Sequence, residues 1–282
     1  MRPSLERLLR YPNYIKSFGL LDGLRLASGI ERFLPQKSEV TRSFRVPGYS
    51  QPFILRDCVA DHAAFWQCIV RQQYDLTQFP HTAYLRTRYE NLLAAGRTPV
   101  ILDLGANIGL SAMVFAEAFP RAHVLAVEPE AQNFALLTRN AAPYGSRIRP
   151  LQGAVWPHEE KLAILNPQSG AMSFRIGTTT SDTGIVAYTV HSLMRIAGDT
   201  EALIVKMDIE GAQKSLFAEN TGWIEHVDAI LLELDDWLFP WQGTSVPFFR
   251  AMSKHSFEYL MNGENLVCFN ARLAHLPLGQ TS

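Results

Sequence analysis

Cysteine is scarce in this chain. Cys58, Cys68 and Cys268 are the three in 282 residues, scattered and odd in number, with no Cys-x-x-Cys pair. A disulfide framework is excluded, and the thiols read as reduced and buried, which points to the cytoplasm. Charge of one sign is missing too: 26 basic and 27 acidic residues leave a net charge of −1. That balance gives no electrostatic pull toward nucleic acid or an anionic membrane. No apolar run reaches the ~18 residues that a membrane span needs. The opening residues, Met1 to Arg7, lack the apolar segment of a secretory signal. There is no internal repeat and no low-complexity tract. What is present, 47% hydrophobic and 19% charged residues, is ordinary globular composition, enough for one large domain or a domain with an appendage.

The densest signal is Val100-Ile101-Leu102-Asp103-Leu104-Gly105-Ala106-Asn107-Ile108-Gly109-Leu110-Ser111. An apolar run ends in an acid, then a glycine-rich turn, then a helical pattern, as in a buried parallel strand bending into a helix. Such a bend leaves main-chain N–H groups and a helix N-terminus free for a small ligand. The spacing is Gly-x-x-x-Gly, not the Gly-x-Gly-x-x-Gly of dinucleotide sites, which argues against a nucleotide-dependent oxidoreductase. Asp103, two residues before the first glycine, suits a cationic or hydroxyl-bearing ligand better than a pyrophosphate. The next strand, Ala122 to Glu128, ends in a second acid nineteen residues past Gly109. That is about the separation at which an acid meets ribose hydroxyls. An ammonium, a sulfonium and a ribose diol fit these acids, so the expected ligand is S-adenosylmethionine.

Tyr14 to Phe33 reads as one amphipathic helix, packed on the core or on a second copy of the chain. Arg10, Lys16, Arg25 and Arg32 also permit a membrane-surface helix. Phe44-Arg45-Val46 and Phe53-Ile54-Leu55 flank turn residues, as in a hairpin. Helices follow at Asp61 to Gln72 and at Thr82 to Ala95, the second capped by Gly96. Residues 1–97 thus read as an α+β cap and 98–282 as the ligand-binding domain. Within the latter, a helix over 130–142 and a strand over 147–156 are followed, where a helix is due, by a Gly-, Ser-, Thr- and Pro-rich stretch over 157–190. That stretch reads as small strands or an irregular insertion. Strands at Leu203 to Asp208 and Ala229 to Asp236 come next, with helices after them, and then a hairpin turning at Asn262-Gly263. The alternation predicts an α/β sheet with its ligand at the carboxyl ends of the strands. Asp103, Glu128, Ala154, Asp208 and Asp235 all fall at those ends.

Residues from about 73 to 270 resemble the FkbM-type family of S-adenosylmethionine-dependent methyltransferases. The glycine-rich segment above carries the resemblance, with Ala126-Val127-Glu128-Pro129 followed by Asn133-Phe134 and Arg139-Asn140. A third segment is Ile204-Val205-Lys206-Met207-Asp208-Ile209-Glu210-Gly211-Ala212, with Leu231-Leu232-Glu233 after it. The resemblance implies a Rossmann-like class I fold with a mostly parallel seven-stranded sheet and a closing antiparallel hairpin. It implies O-methylation, commonly of sugar hydroxyls in polysaccharide or natural-product assembly. It also implies that Gly105, Ala106, Asn107 and Gly109 line the cofactor, that Glu128 holds the ribose, and that Asn133 and Ala154 lie near the adenine. The family's turn after the fourth strand often reads acid-x-Glu-Gly-x-Glu; Gln213 stands here in place of the last acid.

Methyl transfer is mainly a matter of positioning, and a base that takes the proton of a neutral hydroxyl adds ~10²–10⁴. Lys206 and Asp208 alternate onto one face of their strand, and Glu233 is expected level with Lys206 on the next. These three are the candidate catalytic residues. Each has a plainer reading: Lys206 and Glu233 pair across strands, while Asp208 and Glu210 cap the helix near Gly211. Asp208, Glu233, Asp235 and Asp236 form an alternative Mg²⁺ set. His81 is placed to reach the site, and Tyr74, Trp156, Trp237 and Trp241 to stack on a ring, with Trp237 to Trp241 as an acceptor wall. The acceptor expected is a small molecule or glycan. A peptide, lipid or phenol acceptor, and a non-catalytic cofactor-binding module, stand as alternatives. The N-terminal segment is the candidate contact for a homo-oligomer.

Overall fold

The computed structural model describes residues 7–32, 34–164, 176–178, 184–209 and 211–276. The stretch expected as one N-terminal helix is two, α1 (Tyr11–Phe18) and α2 (Leu20–Ile30). They break at Gly19, whose φ of 77° and ψ of 173° suit only a residue without a Cβ. The pair folds back on itself so closely that a Cβ on Gly23 would lie 2.7 Å from the Tyr14 carbonyl oxygen. On the outer side Leu20 and Leu21 are exposed. A hairpin of β1 (Thr41–Phe44) and β2 (Phe53–Arg56) follows, pairing Phe44 with Phe53. Next, α3 (Val59–Phe65) runs into one π-helical turn, Trp66–Val70, where a plain helix was expected. The cap ends with α4 (His81–Ala94).

The sheet-forming part begins with β3 (Val100–Leu104), α5 (Leu110–Ala118), β4 (His123–Glu128), α6 (Ala131–Ala141) and β5 (Ile148–Gln152). The strand expected over 147–156 splits at Gly153, where a Cβ would lie 2.5 Å from the Tyr188 ring. Beyond it come β6 (Ala154–Val155), β7 (Lys161–Ile164), β8 (Ile176–Thr178) and β9 (Ile185–Tyr188), which build a small separate sheet. The rest of the Gly-, Ser- and Thr-rich stretch lies outside the described residues. The crossover helix is delayed rather than lost: α7 (Val190–Ala197) starts at Thr189, whose side chain accepts from the Ser192 N–H. Then come β10 (Ala202–Met207), α8 (Gln213–Ala218), β11 (Val227–Glu233), α9 (Val246–Met252), β12 (Phe257–Asn262) and β13 (Asn265–Asn270).

The main sheet has seven strands in the order β12-β13-β11-β10-β3-β4-β5. The five from β11 to β5 are parallel to one another, and β13 runs antiparallel to both β11 and β12. This is the Rossmann-like sheet expected, and the order reverses between β3 and β10, opening a crevice above their carboxyl ends. Period-two alternation sends Ile101, Val124, Ala126 and Ala229 to one face and Leu102, Leu125, Val127 and Ile230 to the other. The first face shares its apolar cluster with Tyr14, Phe53, Phe65 and Leu85 of the cap. The second packs on α7, α8 and α9. Asp103 and Lys206 lie on the cap face, directly opposite each other in register.

Candidate active site

The bend after β3 is built from left-handed residues: Gly105, Asn107 and Gly109 have φ of 76°, 50° and 89°. Gly105 has no alternative, because a Cβ there would lie 1.9 Å from the Asp208 carbonyl oxygen. The Gly105 and Ala106 N–H groups donate to the Val127 carbonyl, at 3.0 and 2.9 Å. Asn107 N–H donates to Glu128 Oε2 at 2.9 Å, and Glu130 N–H to Oε1 at 3.0 Å. Glu128 is almost fully buried. Burial pushes its carboxyl up to about 7, although these N–H donors work the other way.

Gly105, Ala106, Asn107, Glu128, Ala154, Lys206 and Asp208 come together around one cleft of about 950 Å³, counting its open mouth. Four other sequence candidates lie off its wall. Asp103 was expected to face the ligand. It is fully buried instead, with Oδ1 3.0 Å from Lys206 Nζ and Oδ2 accepting from Ser111 Oγ at 2.6 Å. Gly109 starts α5 and backs onto Leu137. Asn133 was expected near the adenine, but it is buried behind Glu128, with Nδ2 3.5 Å from Oε1. Its Oδ1 accepts from Arg56 Nη2 at 2.6 Å, and Arg56 is in turn paired with buried Asp61 at 2.7 Å. The cap hairpin thus anchors the acid expected to hold the ribose. Glu233, the fourth, stands at the end of β11 opposite Asn265.

Lys206 was expected to pair with Glu233. In the observed register Lys206 lies opposite Leu231, two residues short of Glu233, and its partner is Asp103 on the other side. Lys206 Nζ also donates to the Gly105 carbonyl at 2.8 Å and lies 3.8 Å from Asp208. Burial opposes its charge, but Asp103 and then Asp208 outweigh that, and the ammonium ends above the ordinary lysine value. The Asp208 side chain is half exposed in the cleft. Burial, then Glu264 and Asp208, raise the Glu233 carboxyl to about 7. Glu210 lies outside the described residues.

The Mg²⁺ set does not converge: among the described residues no three His, Cys, Asp or Glu could hold a metal ion. Asp235 accepts from the Gly211 N–H at 3.0 Å and Asp236 from Thr244 Oγ1 at 2.8 Å. His81 does not reach the cleft either; it stacks on Phe269 and contacts Glu258. Trp237 and Trp241 are exposed outside the cleft wall. The wall contains residues of the cap that sequence reasoning did not place there. Gln67 and Cys68 come from the π-helical turn, which leaves no mark in sequence beyond a polar residue among Phe65, Trp66, Ile69 and Val70. Tyr74, noted only as a ring, lies against Lys206 at 5.6 Å from ring centroid to Nζ. Its hydroxyl is pushed well above the usual tyrosine value by burial, then by Asp208.

Among the described residues, no helix is long and apolar enough to cross a membrane. No curated protein matches the chain. Solved structures similar to it include a precorrin-6y C5,15-methyltransferase from Geobacter metallireducens, at 10% identity over 64% of this chain and 86% of that one, with a TM-score of 0.34. Fibrillarin, a pre-rRNA processing protein of Methanococcus jannaschii, is 13% identical over 62% and 67%, with a TM-score of 0.36. A methyltransferase from Pyrococcus furiosus is 17% identical over 66% and 82%, with a TM-score of 0.31. The methyltransferase FkbM domain matches residues 103–259, more than half of the chain. A buried carboxylate hydrogen-bonded to a left-handed main-chain turn fits the ribose of that family's cofactor. The chain therefore belongs to the FkbM methyltransferase family, and it is an enzyme that uses S-adenosylmethionine.

Proposed function

We propose that this methyltransferase acts on a hydroxyl group of a sugar or of a glycosylated metabolite, with Asp208 as the proton acceptor. The cofactor supplies a methyl carbon already activated by a positively charged sulfur. In this reading Glu128 accepts hydrogen bonds from the ribose hydroxyls, and the turn from Gly105 to Asn107 presents main chain to the rest of the nucleoside. Ala154 walls the adenine, Asn133 orients Glu128, and Gly109 begins the helix behind the turn.

The observation that carries the proposal is the half-exposed Asp208 carboxylate beside a buried, charged Lys206. Lys206 is tied down by Asp103 and by the Gly105 carbonyl, so it fixes the height of Asp208 above the strand ends. Asp208 then takes the hydroxyl proton as the C–O bond forms and the C–S bond breaks, its electron pair leaving with the sulfur. Glu233, held at about 7, keeps a proton below that pH and so spares Asp208 a second negative neighbour. Cytoplasmic location and a role in polysaccharide or natural-product assembly belong to the same proposal.

The test is transfer of labelled methyl from S-adenosylmethionine to a panel of neutral, carboxylated and phosphorylated saccharides, with Asp208→Asn beside the native protein. The expected result is methylation of a saccharide hydroxyl, with turnover lowered by ~10²-fold or more in the variant and cofactor affinity kept. Unchanged turnover removes Asp208 from the chemistry.

A further inference from the structure

A second cavity opens on the outer side of the π-helical turn. It measures about 890 Å³ counting its mouth, and Arg10, Trp66, Gln67, Arg71, Asn262 and Glu264 are on its wall. Gln67 lines this groove and the cofactor cleft alike. Ala64 and Cys68 face the cleft from the same segment, while Ala63 and Trp66 face the groove. A single turn of chain therefore separates the two spaces.

Two guanidinium groups sit in the groove. Arg10 lies over the Trp66 ring at 4.8 Å, with Glu31 3.5 Å away. Arg71 is exposed, and among the described residues its side chain has no hydrogen-bond or ion-pair partner. Its backbone is held on both sides. Arg71 N–H closes the π-turn onto the Trp66 carbonyl at 2.8 Å. Gln72, next to it, takes a left-handed φ of 50°, uncommon for a residue with a side chain. The Gln73 carbonyl then accepts from Asn262 Nδ2 and Asn265 Nδ2, at 3.0 and 3.3 Å. An unpaired guanidinium on a backbone held at both sides, one turn of chain from the cleft, offers a planar fork of donors to a carboxylate or phosphate.

We infer that this groove binds an anionic group, carboxylate or phosphate, carried by the acceptor next to the hydroxyl that is methylated. Arg71 grips the anion, and Gln67, which lines both spaces, serves the hydroxyls between it and the cleft. Glu31 pairs with Arg10 and Glu264 shares the wall, so Arg71 is the guanidinium left without a partner among the described residues. The inference rests on the saccharide reading above and adds the charge of the substrate.

The test compares methyl transfer to glucose, glucuronic acid and glucose 1-phosphate, and to neutral and acidic polysaccharides, by the native protein and by Arg71→Gln. The expected result is a lower KM for an acidic saccharide than for its neutral counterpart. Arg71→Gln should raise the acidic KM by about tenfold or more, with kcat and cofactor affinity unchanged. Whether the carboxylated or the phosphorylated arm responds tells the two anions apart. Equal KM for neutral and acidic acceptors, or an acidic KM that Arg71→Gln leaves alone, overturns the groove assignment and spares the saccharide reading. Failure to methylate any saccharide, by protein that binds the cofactor, overturns both.

Discussion

Glu128 holds its proton to about pH 7, against an ordinary carboxyl value of 4.5. Ribose hydroxyls donate to the ionised form, so affinity for the cofactor should rise between pH 6 and 8 and level off above. Binding at pH 6 should release a proton, which calorimetry in buffers of different ionisation enthalpy reads directly; Glu128→Gln should abolish the release. The stability of the cofactor-free protein carries the opposite sign. A raised carboxyl favours the fold at acid pH, and that contribution is lost as pH rises from 4.5 through 7. At this scale the sequence was most legible where the backbone itself is constrained. Gly105 and Asn107 belong to one bend, and Glu128 ends the next strand at a spacing visible in the chain. The partner of Lys206 was not legible, because it depends on strand order. β10 lies between β3 and β11, and only the register decides that Asp103 and not Glu233 stands opposite.

The β1–β2 hairpin does more than cover the sheet. Asn140 on α6 exchanges hydrogen bonds with the Ile54 backbone at 2.8 and 3.0 Å, and Arg56 reaches Asn133 behind Glu128. Arg56→Met leaves the buried Asp61 without its guanidinium, a loss of about 3 kcal/mol or more. Urea unfolding should show that loss, and titration with S-adenosylhomocysteine should show weaker binding, although Arg56 is not on the cleft wall. Unaltered affinity would mean that Asn133 holds Glu128 without help. The hairpin was readable from Phe44 and Phe53 around a Pro- and Gly-rich turn, but its docking on α6 involves residues some eighty positions apart, which no local pattern records. The N-terminal helix pair was missed for a related reason. Apolar periodicity runs on through Gly19, and only the fold-back of α1 on α2 shows that the chain reverses there. The π-helical turn has no periodic signature of its own, so Gln67 and Cys68 went unassigned.

The described residues are organised around one seven-stranded α/β sheet whose cap-side face shares a continuous apolar cluster with residues of the cap. The alternation of strands and helices made that sheet legible from sequence. The small sheet from β6 to β9 broke the pattern and hid α7 behind it. The cleft takes its shape from this architecture: the ends of β3, β4 and β10 supply its floor, and Ala64, Gln67, Cys68 and Tyr74 of the cap add to its wall. The most direct measurement is calorimetric titration of the 282-residue protein with S-adenosylmethionine, repeated on Glu128→Ala and Asp208→Asn. The account predicts one site, affinity weakened by about tenfold or more in Glu128→Ala, and affinity within about twofold of native in Asp208→Asn. Absence of binding by the native protein, or equal binding by Glu128→Ala, would contradict it.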